Sequence, residues 1–246
     1  MDPKFEPVMA SGRDAAAGRP APIPGGFETT QVERNRVLRN TYWLLAISLL
    51  PVVAGAWIGM QLNFVAFFKA APIMTPLLMF AAMLGCLFAV TLLRNSSWGV
   101  AALLGFTFVS GVFLTPILSV AAGLRNGGQL VALAGGMTAA IFFAMATIAT
   151  VTKRDFSFLG KFLFVGLILL IVASLANLFF QVPAMSLTIS AIAVLLFSAY
   201  LLYDVSRIVN GGETNYIVAT LNIFLSLYNL FISLLNILMA FSGQRD

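Results

Sequence analysis

Aspartate 204 is the one acidic residue inside the long apolar blocks of this chain, and the most direct pointer to chemistry in it. Burying a carboxylate's charge in a bilayer costs several kcal/mol, so an intramembrane acid is a functional candidate by default. Arg207 follows three residues later on the same helical face and is positioned to offset that cost. Two readings stay open: a proton- or ion-responsive Asp204, or a structural Asp204–Arg207 pair near the headgroups. Arg94, from another loop, is an alternative partner for the same carboxylate.

A second polar feature lies further on. Asn222, Ser226, Asn229, Ser233 and Asn236 follow 4-3-4-3 spacing and form one stripe along a helix. At 1.5 Å per residue the stripe runs about 21 Å, most of a hydrocarbon core. Lipid cannot satisfy such a face. It therefore lines a wet path or hydrogen-bonds neighbouring helices, and its helix belongs at the centre of a bundle. Ahead of it, Thr214 or Asn215 suits an N-cap, and Glu213 suits the positive end of the helix dipole. A cation site at Glu213 would stand alone, which favours capping.

Other chemistry is poorly provided for. The chain has no histidine, which removes the usual general base and the usual metal ligand together. Ser–His and zinc proteases are thereby excluded. An aspartyl protease needs two carboxylates sharing a site, and Tyr203-Asp204 supplies half of one. No phosphate loop or cofactor motif is present, and Cys86 is a lone thiol that has no intrachain partner. The sequence reads as a non-enzyme without metal or cofactor.

The elements that must hold these residues follow from composition. Of 246 residues, 60% are hydrophobic and 9% charged, where a soluble domain carries about 25% charged. The apolar residues come in blocks of about twenty, the length that spans a bilayer as a helix. Seven blocks are expected near 40–60, 73–93, 98–120, 129–151, 160–180, 185–208 and 216–241. They are separated by Pro72 and Pro76, Arg94-Asn95-Ser96-Ser97, Arg125-Asn126-Gly127-Gly128, Lys153-Arg154-Asp155, Pro183 and Asn210-Gly211-Gly212. The fold class is an all-α integral membrane bundle of seven transmembrane helices with the last one central.

Residues 1–36 differ: proline-rich, with scattered charge and no apolar core. They are expected to be a disordered tail before a membrane domain over 37–243. Arg34, Arg36, Arg39, Arg94, Lys153, Arg154, Lys161 and Arg207 fall on one side of the bundle. Lys69, Arg125 and Arg245 fall on the other. Positive charge accumulates on the cytoplasmic side, which puts the N-terminus inside and, after seven spans, the C-terminus outside. The charge is too dispersed for a nucleic-acid surface, so the expected medium is the lipid bilayer. Gly55 and Gly59 on the first helix, with Pro51 as a kink, and Gly136, Ala140 and Ala144 on the fourth form small-residue faces. Such faces suit close packing inside the bundle or a dimer seam.

Several runs carry a resemblance: Arg39-Asn40-Thr41-Tyr42, RDFSFLG at 154–160, Asn177-Leu178-Phe179 before Gln181-Val182-Pro183, and GGETNYI at 211–217 followed by Ser226-Leu227-Tyr228-Asn229. Together they resemble the bacterial YccA-like branch of the Bax inhibitor-1 family, over about residues 36–243. The resemblance implies a seven-helix bundle in a bacterial inner membrane. It also implies a partner, the membrane-anchored ATP-dependent protease FtsH, whose attack on substrates such as SecY the protein would restrain. Other branches of that family are proton-sensitive calcium leaks in which two membrane aspartates share a proton. Asp204 matches the first aspartate, but the second position is Ser226, which cannot ionise. The resemblance therefore favours a regulator over a leak.

Overall fold

The computed structural model describes residues 31–152 and 154–242. Most of the expected tail, together with Lys153, Arg245 and the last residues, lies outside them. Nine helices appear among the described residues: α1 (Gln31–Gln61), α2 (Val65–Ala70), α3 (Met74–Leu93), α4 (Trp98–Phe113), α5 (Thr115–Ala122), α6 (Gly127–Thr152), α7 (Leu159–Phe180), α8 (Pro183–Val209) and α9 (Tyr216–Ser242). Taking α4 and α5 together as one stretch, seven are long and apolar enough to cross a membrane. They fall on the seven expected blocks.

Three local differences have physical reasons. Helix α1 starts at Gln31 rather than near 40, so residues 31–36 are helical rather than part of a tail. No Gly or Pro interrupts 31–50, and Glu33 sits favourably in the first turn. Pro51 lies inside α1 without ending it. The third span is broken at Leu114: Pro116, in the first turn of α5, has no N–H to continue the ladder. Helix α2 is a short turn in the first loop.

Burial sets the layout. In α9, 39% of the apolar window is buried inside the protein, against 6% in α3 and in α7. Helix α9 touches α1, α4, α5, α6 and α8, so the last helix is at the centre. Helix α3 leans on α4, and α7 on α8. The core runs through Leu103, Phe106, Leu201, Val205, Leu221, Ile223 and Leu230. Large apolar side chains of α3 and α7, such as Phe88, Phe162 and Phe164, point outward, as lipid-facing residues do.

Small residues decide which backbones come closest. A Cβ on Gly55 would strike the Phe108 carbonyl, one on Gly59 the Thr115 hydroxyl, and one on Gly111 the Val52 carbonyl. The Gly55/Gly59 face is thus internal packing of α1 on α4 and α5. Gly136, Ala140 and Ala144 do the opposite. They are exposed, and nothing approaches within 4 Å of a Cβ built on Gly136. That stripe faces outward and does not pack inside the chain.

Candidate functional site

Asp204 lies near the end of α8, buried at 7% exposure. Among the described residues its carboxylate accepts no hydrogen bond and has no ion pair. Arg207, one turn on, is engaged elsewhere. Its Nη2 donates to the Gly212 carbonyl at 3.1 Å and stands 3.5 Å from Glu213 Oε2. Its guanidinium carbon lies 5.6 Å from the centre of the Tyr203 ring. The Asp204–Arg207 pair is therefore corrected to Arg207–Glu213. The reason is the loop: Gly211 takes a positive φ of 77°, which turns the chain back over α8. The Gly212 and Glu213 amides then donate to the Arg207 carbonyl at 2.8 and 3.3 Å. Arg94 does not pair with Asp204 either; only its carbonyl is used in this region.

That carbonyl accepts from Asn215, the residue around which the loops meet. Its Oδ1 accepts from the Ile217 and Val218 amides at 3.0 and 3.2 Å, the N-cap of α9. Its Nδ2 donates to the Arg94 carbonyl and to Asn95 Oδ1, both at 3.0 Å. Glu213 Oε1 in turn accepts from the Asn215 amide at 3.0 Å. Of the two expected caps it is Asn215 that serves, and Glu213 acts as loop acceptor and ion-pair partner.

A third loop joins through Ser206, fully buried on α8. Ser206 Oγ donates to the Arg154 carbonyl at 3.0 Å and accepts from the Phe156 amide at 3.2 Å. Asn210 Nδ2 donates to the same carbonyl at 3.1 Å. Asp155 accepts from the Ser157 amide at 2.8 Å, and hydrogen bonding from the Ser157 side chain, then from its amide, holds the carboxyl below the usual carboxylate range. The loops at 94–97, 154–158 and 210–215 thus form one polar cap over the end of the bundle that carries Asp204.

The stripe on α9 is inside, as a face of Asn and Ser must be. Ser226 and Ser233 are buried, and Asn222, Asn229 and Asn236 are partly so. Its hydrogen bonds differ from expectation. Asn229 Nδ2 donates to the Leu225 carbonyl at 2.8 Å and Ser233 Oγ to the Asn229 carbonyl at 2.7 Å, both within α9. No hydrogen bond links Asp204 to Ser226 among the described residues. The bonds from α9 to other helices come from residues the stripe omits. Thr220 Oγ1 reaches the Thr41 carbonyl at 3.3 Å, and Tyr228 Oη the Ser110 carbonyl at 3.1 Å. The sequence signal for them was available: Thr220 and Tyr228 are polar groups of the same apolar helix that lie outside the stripe.

Three of the matched runs prove to be joints. Asn177 Oδ1 accepts from the Val182 amide at 3.1 Å, with Gln181 left-handed at φ 52° and Pro183 opening α8. RDFSFLG is the loop docked on Ser206, and GGETNYI is the Arg207–Asn215 lock. Gly160, the last residue of RDFSFLG, lies so close to Tyr203 that a Cβ would come within 2.8 Å of the phenol oxygen.

Seven apolar spans closed by such a cap define a multi-pass α-helical membrane protein. A sequence profile described as "Inhibitor of apoptosis-promoting Bax1" matches residues 34–243. The chain belongs to the Bax inhibitor-1 family. It is 41% identical over 215 residues to an uncharacterized protein of Neisseria meningitidis serogroup A, covering 87% of this chain and 94% of that one. It is 36% identical over 204 residues to "Modulator of FtsH protease YccA" of Escherichia coli K12, covering 81% and 88%. The same identity and coverage hold for "Inner membrane protein YccA" of Escherichia coli O6:H1.

Proposed function

We propose that this protein is a regulator embedded in a bacterial inner membrane that binds an FtsH-type protease and restrains its degradation of membrane proteins. The observation that carries the reading is the 36% identity to the Escherichia coli FtsH modulator over most of both chains. The loop motifs that resemble that branch build the hydrogen-bonded polar cap on the side where α1 begins. In this reading the cap and residues 1–30 face the cytoplasm, because Arg34, Arg36, Arg39, Arg94, Arg154, Lys161 and Arg207 lie at that end. The segment before α1 is the handle that an ATP-dependent protease grips.

The rival reading, a proton-sensitive calcium leak at Asp204, lacks its second carboxylate at Ser226.

The test uses the full chain and a version lacking residues 2–30, which leaves α1 whole. Each is mixed with the protease and a competing membrane substrate. The full chain co-purifies with the protease and slows substrate loss. The shortened chain resists degradation itself. Failure of both to associate with the protease in detergent and in lipid would sink the reading. Orientation is checked separately: a reporter active only outside the cytoplasm works when fused after Asp246 and fails within 152–158.

A further inference from the structure

At the end of the bundle opposite Asp204, the start of α6 and the last turns of α9 enclose a cleft of about 620 Å³. Its size is that of small-molecule sites, roughly 300–1,000 Å³. The lining divides by chemistry. Leu133, Leu238 and Phe241 make an apolar wall, with Leu133 and Phe241 more than half exposed. Arg125, Asn126 and Gln129 make the polar side.

Asn126 is already committed. Its Nδ2 donates to Ser242 Oγ at 3.0 Å, and the Ser242 hydroxyl lies 3.1 Å from its Oδ1, which clasps α9 to α6. Arg125 is not committed: it has no ion pair among the described residues. Among the described residues the charge at this end is one-sided. The four described acidic residues, Glu33, Asp155, Asp204 and Glu213, all belong to the other end, whereas Lys69 and Arg125 belong to this one. Arg125 sits in the turn between two spans, the depth at which a bundle leaves the hydrocarbon and meets phosphate headgroups. Helix α6 also begins there, with the positive end of its dipole at Gly127.

A cation at headgroup depth above an apolar groove is complementary to one kind of molecule. We propose that this cleft is a binding site for an anionic phospholipid. The Arg125 guanidinium holds the phosphate, the Gln129 amide is a second donor, and an acyl chain lies against Leu133, Leu238 and Phe241. A zwitterionic lipid carries its own cation beside the phosphate and gains less from Arg125. A free phosphate uses the arginine but leaves the apolar wall uncovered.

The test is thermal unfolding of the purified full chain in a non-ionic detergent. The additions are phosphatidylglycerol, phosphatidylcholine with the same acyl chains, or inorganic phosphate. Phosphatidylglycerol raises Tm by roughly 3 °C or more, and the other two raise it by less than half as much. Arg125→Gln removes most of the phosphatidylglycerol increment. Leu133→Trp fills the groove, leaves Arg125 in place and also removes it, so the test survives if the arginine variant folds poorly. A chain ending at Ser242 keeps the increment. Equal responses to the two lipids, an equal response to inorganic phosphate, an undiminished increment in both variants, or its loss in the shortened chain would each overturn the proposal.

Discussion

Arg207 pairs with Glu213 across the tight turn after α8, at 3.5 Å, while the nearer acid in sequence, Asp204, is left without a hydrogen bond. The guanidinium thereby closes the 210–215 loop onto the helix that precedes it. Both side chains are partly exposed, which limits what the charge pair alone is worth. Glu213→Gln keeps an oxygen for the Asn215 amide and loses only the charge. Its cost is below about 1 kcal/mol in thermal unfolding and shrinks further with added salt. Arg207→Ala loses the Gly212 hydrogen bond and the Tyr203 stacking as well, and destabilises more. A larger loss for Glu213→Gln than for Arg207→Ala would contradict this arrangement.

Asn215 is expected to be the most sensitive residue of the cap. Asn215→Ala removes the N-cap of α9, worth about 0.5–2 kcal/mol, together with both bonds to the 94–97 loop. Asn215→Asp keeps the cap acceptor and loses the two donors, so its Tm falls between wild type and Asn215→Ala. Limited proteolysis follows the loop directly: cleavage between Arg94 and Ser97 accelerates in both variants.

The two small-residue faces separate on substitution. Gly111→Val forces α4 from the Val52 carbonyl of α1, an overpacking cost of about 1–3 kcal/mol. Gly136→Leu adds a side chain into open space and leaves stability within about 0.5 kcal/mol. Comparable destabilisation by both, measured in the same detergent, would mean that the Gly136 face is covered in the native state.

A pH effect belongs to Asp155. Hydrogen bonds from Ser157 lower its carboxyl pKa in the folded state, with an ordinary value of 3.8 as reference. The carboxylate's contribution is present above that value and is lost as pH falls through the lowered one. Amide exchange at Ser157 therefore speeds up as pH falls below 3.8, relative to Asp155→Asn, which shows no such step. The same step in the variant would assign it to another group.

Asp204 has no bond to lose. Asp204→Asn leaves thermal stability unchanged or slightly higher, because it removes a charge whose burial nothing offsets by hydrogen bonding. Under the regulator reading, calcium entry into liposomes is the same for both proteins. A clear difference in flux between equally folded proteins would favour the leak.

Much of this molecule was legible in the chain. Seven spans follow from apolar blocks of bilayer length cut by polar turns, because lipid leaves no other way to satisfy backbone groups. The central place of α9 follows from its Asn and Ser stripe, since hydrocarbon cannot satisfy such a face. The cap at Asn215 follows from local chemistry within three residues. What the chain could not decide was partnership. Whether Arg207 turned to Asp204 or Glu213 depended on a loop folding back at Gly211. Whether Ser206 held the 154–158 loop depended on residues about fifty positions apart. The outward direction of Gly136, Ala140 and Ala144 was undetermined for a different reason. A lipid tail is as apolar as a neighbouring leucine, so periodicity marks a small, apolar face without saying what covers it. Only the packed bundle separated the face of Gly55, pressed on the Phe108 carbonyl, from that of Gly136, where an added Cβ would meet nothing within 4 Å among the described residues.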